Sequence, residues 1–421
     1  MDKVLNKSFL RVALLSAMFI SQLNTIASVI MADLFALFPD ASPTAIQMVM
    51  QFGMVGSFPV ALTVGFLANR IRIKPMIIIG MICLLVGGML PLLMHESLGQ
   101  LYVSSLVIGA GEGFIAPLVS TLTLRFFENK ARDRQIGLNS TFATGGATIF
   151  TLAAGVIALG YWLNIYYLYF FGIPALILVI IFMPMGEKHA PIVQEEEAKK
   201  EKVPLPPRVF VQAGLLILMY IGYITFPINV GILTTAEKGF GDSASTGLSV
   251  SIVTVVGAVF GLVFPYVIKF MKSYIGLLSC ACCIAGLLIT GFANNMGVIY
   301  VAAVLLGCFW GSAVAGAVYI VGRMCKPQHF GPSLSIVMAF MTLGIILSPI
   351  VVNAITPLWR GTVDSVGAFI TSAAIMCVAF VLQIIWGTFI KKNFPERPKE
   401  EAAATASEEP ATENIMDEEN A

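Results

Sequence analysis

Runs of about twenty apolar residues, each long enough to cross the hydrocarbon core of a bilayer, recur along this chain from end to end. They lie near 10–32, 45–67, 75–94, 99–124, 136–159, 163–184, 209–233, 246–268, 274–293, 297–322, 331–356 and 364–390. Inside lipid every backbone N–H and C=O must be bonded within the spanning element, which leaves only helices and closed barrels. A barrel strand needs about ten residues, so runs of this length are helices. The chain reads as an all-α membrane protein of twelve transmembrane helices. Its composition agrees: 57% of residues are hydrophobic and 12% charged, about half the charged fraction of a soluble domain.

The few charges are segregated. With the N-terminus placed inside, the cytoplasmic connections carry Arg70, Arg72 and Lys74, then Arg125, Lys130, Arg132 and Arg134, then the cluster from Lys188 to Arg208. Of twenty-five Lys and Arg, only Lys238 and Arg360 fall on the other side. This is the positive-inside pattern, and it requires an even number of spans. It places a multi-pass protein in the cytoplasmic membrane with both termini in the cytoplasm. The first span is too long for a signal-peptide core and reads as retained. A net charge of +1 points to no nucleic-acid partner. The seven cysteines show neither metal-ligand spacing nor a disulfide framework, so no metal and no cofactor is expected.

The chain also repeats itself. "GQLYVSSLVIGAGEGFIAPLVSTLTLR" (99–125) aligns without gaps on "GVIYVAAVLLGCFWGSAVAGAVYIVGR" (297–323). Gly99, Tyr102, Gly109, Gly113 and Arg125 match Gly297, Tyr300, Gly307, Gly311 and Arg323 at one offset, and Arg11 and Gly65 match Arg208 and Gly261 at nearly the same one. The reading is a six-helix half over 1–184, a charged, proline-rich cytoplasmic linker over 185–207, a second six-helix half over 208–392, and a disordered acidic tail over 393–421.

Two parallel six-helix halves, together with local motifs, resemble the major facilitator superfamily of secondary transporters, in which the halves rock about a site near the midplane. "GFLANRIRIK" (65–74) is similar to that family's loop between helices 2 and 3, with Gly65, Leu67, Ala68, Arg70 and Lys74 matching, Asn69 in place of the acid and Arg72 in place of the second glycine. "NTIASVIMADL" (24–34) resembles the first-helix pattern of bacterial proton-coupled drug exporters, with Asn24 where aspartate often stands. There are departures. Aligned on Pro117, the arginine that many members carry in helix 4 falls on Ser105, and the fifth span has Gly145-Gly146 without the antiporters' Gly-Pro. The resemblance implies that helices 1, 4, 7 and 10 line a cavity, and that Gly65, Asn69 and Arg70 act as a gating latch.

Glu112 stands out because packing alone does not require an acid within "SLVIGAGEGFIAPLV". Placing one at mid-membrane costs about 2.5–3.5 kcal/mol on the insertion scale, so it marks a functional site by default. Its expected role is proton coupling; a carboxyl bonded to a neighbouring helix for structure alone is the alternative. Asp33, at the outer end of the first span, is the second acid. Gln22, Asn24, Ser105, Asn139, Tyr220, Tyr223, Asn229, Trp310 and Tyr319 are candidate substrate-binding residues, as donors, acceptors and ring faces along the implied cavity.

Absences narrow the function. No phosphate loop suggests direct ATP drive, and no HExxH or G-x-S-x-G motif suggests a hydrolase, so the chain is not expected to be an enzyme. No Lys or Arg lies near mid-depth in the first, fourth, seventh or tenth span, which disfavours a strongly anionic substrate. The reading is secondary active transport of a small organic solute by a monomer. Efflux of neutral or cationic amphipathic compounds is the leading subtype, proton-coupled uptake of a nutrient or metabolite the alternative, and a non-transporting sensor the minor one.

Overall fold

The computed structural model describes residues 7–68, 71–183, 206–325 and 327–394. Among the described residues the chain is helical with no strand, and eleven helical segments are long and apolar enough to cross a membrane. One of them, Ser243–Phe292, is 50 residues long, more than twice the length a crossing needs. It turns at Lys272, whose φ of 46° takes the backbone out of the helical region. That turn makes two helices of it and twelve in all.

In chain order these are α1 (Lys7–Leu37), α2 (Pro43–Ala68), α3 (Ile73–Leu92), α4 (Leu98–Phe126), α5 (Asn129–Ala158), α6 (Trp162–Phe182), α7 (Pro207–Glu237), α8 (Ser243–Met271), α9 (Ile275–Phe292), α10 (Met296–Met324), α11 (Pro327–Arg360) and α12 (Ser365–Asn393). Because successive helices run in opposite directions, Lys7, Met183, Pro207 and Asn393 share one face of the bundle, here called the linker face. The short connections α1–α2, α3–α4, α5–α6, α7–α8, α9–α10 and α11–α12 share the far face. Several helices overrun the spans expected from hydropathy. α5 begins at Asn129, for example, so the charged "NKARDRQ" stretch is helical.

Among the described residues, five helices that start at the far face carry side-chain caps: on α2, Ser42 Oγ accepts from the Ala45 N–H at 3.2 Å. Ser97 and Gln100 form a capping box on α4, and Asp242 and Ser245 form one on α8. Asn295 accepts from the Val298 N–H at 3.0 Å, and Asp364 from the Gly367 N–H at 3.2 Å. Such caps satisfy N–H groups that a helix start leaves unbonded, and each stabilises by about 1 kcal/mol.

Buried apolar residues form two main cores. One runs from Leu10 to Met183, joined by Ile232, and the other from Val209 to Ile390. The repeated glycines do the same work in both. A Cβ at Gly113 of α4 would lie 2.7 Å from the Ser57 carbonyl oxygen of α2, and one at Gly311 of α10 would lie 2.5 Å from the Gly257 carbonyl oxygen of α8. In each case helix backbones touch where only hydrogen fits. Residues 184–205 and 395–421, which hold most of the expected linker and tail, lie outside the described residues.

Candidate functional site

The centre of the first half is organised by a break in α1. After Lys7–Ile20 the helix loosens at Ser21–Gln22, tightens to a 3-10 stretch over Leu23–Ile30, and resumes as α-helix over Met31–Leu37. Ser21, Thr25 and Ser28 each donate a hydroxyl hydrogen bond to the carbonyl three residues earlier, at 2.8, 2.8 and 2.7 Å. Side chains that compete for carbonyls at this spacing favour the tighter helix. The break sets the Asn24 backbone close to the Glu112 carboxylate of α4.

Gly53 completes this node. A Cβ there would collide with the Asn24 side-chain amide, and the Gly53 backbone lies against Gly109 of α4, less than one helical turn from Glu112. So α1, α2 and α4 meet at one point with the acid beside it. Glu112 keeps part of its surface open, and Gln22, at the break itself, is also half-exposed. Ser105 is buried two turns from Glu112 on α4.

In the second half, α7 breaks at Ile224, three residues before Pro227. Proline lacks the N–H that would bond the Tyr223 carbonyl, which accounts for the interruption. Tyr220 and Tyr223 precede the break and pack on Phe309 and Trp310 of α10. The Tyr223 ring stacks on Trp310 at 5.5 Å and on Phe309 at 4.8 Å, both at 27°. Trp310 is seated against Gly257 of α8, where a Cβ would come within 2.6 Å of the indole. The Tyr220 hydroxyl is buried with no hydrogen-bond partner among the described residues.

Between the halves, the far face is stitched together. Gln47 of α2 donates from Nε2 to Asn229 Oδ1 of α7 at 2.8 Å and accepts at Oε1 from Asn353 Nδ2 of α11, also at 2.8 Å. Asn353 Nδ2 also donates to Thr44 Oγ1 at 3.1 Å. On the opposite side of the bundle, Thr148 of α5 and Thr254 of α8 share a hydroxyl bond of 2.9 Å. A Cβ at Gly247 would lie 2.8 Å from the Thr151 carbonyl oxygen and 3.2 Å from Gly155 Cα. Toward the linker face the same two helices separate. Gly137 of α5 and Gly261 of α8 continue those contact faces with nothing within 4 Å, and Gly145 is likewise open. Along this seam the two halves touch near the far face and part toward the linker face.

The other residues singled out in the sequence are dispersed. Asn139 belongs to a ladder within the first half: Arg11 Nε donates to Gln135 Oε1, Gln135 Nε2 to Asn139 Oδ1, and Asn139 Nδ2 to Thr123 Oγ1, all at 2.9–3.0 Å. Tyr319 lies toward the linker face beneath the Arg323 guanidinium, 5.7 Å from the ring centre. Asp33 is in the last turns of α1, which pack on the end of α7, and its Oδ2 is buried without a partner among the described residues. Asn69, Arg70 and the surroundings of Gly65 lie outside the described residues, although Lys74 of the same motif donates to the Ile180 carbonyl at 2.6 Å. A narrow cleft inside the second half, lined in part by Gln212, Gly276, Ser312 and Gln383, contains none of these candidates. Among the described residues no cluster of His, Cys, Asp or Glu is arranged to hold a metal ion.

Reading the sequence alone missed Gln47, Asn353, Gly53 and the Thr148–Thr254 pair. Gln47 and Gln51, one turn apart in an apolar run, were the available signal, because a buried amide is costly without a partner.

Residues 12–317 match the model of the Major Facilitator Superfamily, and the chain belongs to that superfamily. It is a multi-pass membrane transporter. Three solved structures share its fold. A point mutant of the nucleoside transporter NupG superposes with a TM-score of 0.73 at 12% identity, over 90% of this chain and 99% of that one. A D-xylose-proton symporter gives 0.68 at 14% identity, over 91% and 98%. The human organic anion transporter MFSD10 (TETRAN) gives 0.63 at 13% identity, over 90% and 99%. Among curated proteins, none matches this sequence.

Proposed function

We propose that the chain carries a small organic solute across the cytoplasmic membrane by alternating access, coupled to protons through Glu112. The observation that carries this reading is the node at Gly53, where Asn24 of α1 and Gly109 of α4 meet, because it sets an acid beside the broken segment of α1. That segment, Leu23–Ile30, packs on α7 and α8 of the other half as well as on its own half. Protonating Glu112 removes a charge beside the break that opposes closure over the cavity. The acid's state thereby reaches the surface along which the halves move. Asp33, near the far face between α1 and α7, is the second acid on that route.

The positive-inside pattern supports a cytoplasmic linker face, so the halves part toward the cytoplasm in this conformation. The Tyr223–Trp310 stack and Glu112, with Gln22, Asn24 and Ser105 nearby, suit a neutral or cationic solute with an apolar or ring portion, and efflux is the direction we favour. Uptake by symport is the second reading, supported by the fold shared with a D-xylose-proton symporter.

The test is pH-driven solute accumulation in vesicles by the parent and by Glu112→Gln at matched protein levels. The Gln variant should lose accumulation against a gradient and retain solute-for-solute exchange. Accumulation at the parental level would remove Glu112 from the coupling.

A further inference from the structure

The far-face seam is held by neutral amides, and its accounts do not balance. Gln47, Asn229 and Asn353 are 2%, 5% and 7% exposed, and the bonds among them join α2 of the first half to α7 and α11 of the second. Gln47 alone bonds both of the opposing helices, because an amide donates at one end and accepts at the other. Two further polar atoms on the same faces have no partner among the described residues. They are Asn353 Oδ1 and the Nε2 of Gln51, a side chain 1% exposed. Gln51 lies one turn from Gln47 toward the membrane centre. It sits between Met50 and Met54, which both pack on the core of the second half.

We propose that Gln47 is the latch of the far gate and Gln51 its counterweight. Gln47 holds the closed state through hydrogen bonds that parting would break. Gln51 and Asn353 Oδ1 favour the open state, because parting admits water to two atoms left dry in the seam. A seam made of ions would be strongly dependent on salt, and one made of leucine would resist wetting. Neutral amides exchange protein partners for water at small net cost, which suits a joint that must open on every cycle. The two glutamines stand on one face of one helix and act in opposite directions.

This proposal rests on alternating access, but its test needs neither a substrate nor a proton gradient, so it can fail while the assignment of Glu112 stands. The reporter is Ser28→Cys. Ser28 is fully buried in α1, and its carbonyl oxygen lies 3.9 Å from where a Cβ on Gly231 of α7 would stand. Labelling by a water-soluble maleimide is followed in the full chain in lipid nanodiscs, against a parent without the reporter as baseline. Gln47→Leu should speed labelling several-fold, because it breaks both bonds and leaves Asn229 Oδ1 without its donor. Gln51→Leu should slow it several-fold. Replacing Gln47, Asn229 and Asn353 together by leucine should slow it further, because an all-apolar seam leaves no amide stranded. The latch is overturned if Gln47→Leu labels at or below the parental rate. If Gln51→Leu speeds labelling as Gln47→Leu does, both glutamines merely pack and the counterweight is wrong.

Discussion

Gly109 is the most exacting position in the first half, and replacing it with alanine tests how tightly α2 and α4 are joined. The new Cβ would stand 2.5 Å from the Gly53 carbonyl carbon and 2.8 Å from Gly53 Cα. Carbon atoms settle at about 3.5–4.0 Å, so the two backbones must part by about 1 Å. The neighbour is main chain, with no flexible side chain to swing aside. Gly53 cannot retreat far, because its other side abuts the Asn24 amide. Overpacking of this kind costs about 1–3 kcal/mol. The same substitution at Gly145, where nothing lies within 4 Å, removes only the helix penalty of glycine and should gain about 0.5–1 kcal/mol. Thermal unfolding of both variants in one detergent reads the difference: Gly109→Ala should melt several degrees below the parent and Gly145→Ala at or above it. Equal melting of Gly109→Ala and the parent would refute the backbone contact. Equal loss in both variants would show that glycine itself, and not its neighbour, sets the effect.

Gly145→Leu and Gly261→Leu should leave folding intact but stall solute exchange, because these open faces must approach each other when the linker face closes; normal exchange rates would count against a closing surface there. Asp40, exposed at the far face, should react as Asp40→Cys with an impermeant thiol reagent applied outside intact cells, and protection there would invert the topology. The Asp242 carboxyl is held below its ordinary value by the Ser245 side chain and N–H, so its cap on α8 is in force above the ordinary carboxylate range and fades as pH falls through the depressed value. Asp242→Ala should cost about 0.5–2 kcal/mol at neutral pH and nothing once the parent's carboxyl is protonated, which melting curves at both pH values would check.

The helices were legible because lipid leaves a chain so few options, and the repeat because the same glycines recur to bring helix backbones together. α8 and α9 were legible as two spans because Lys269 and Lys272 interrupt the apolar run, and the chain turns there at Lys272. The site was legible in fragments. Glu112 announced itself by its cost, and the Tyr223–Trp310 pair by being aromatic at implied cavity positions. Gln47 and Asn353 were not legible as partners, because they lie 306 residues apart and nothing in either run records the other. Asn139 looked like a free amide in the sequence, but its partners Gln135 and Thr123 are supplied by a helix turn and a neighbouring helix, which composition does not reveal.

The breaks in α1 and α7 have a consequence for how this protein can be explored. Where a helix is interrupted, its own N–H and C=O groups become available to whatever stands opposite. A solute held by such groups is held by atoms that every residue type except proline provides. Alanine scanning would pass over them in silence and understate the site. Backbone substitution, by ester replacement at Asn24 or a shift of Pro227 along α7, is the kind of change such a site would register. Side chains around the breaks can then drift toward new solutes while the grip itself is inherited unchanged.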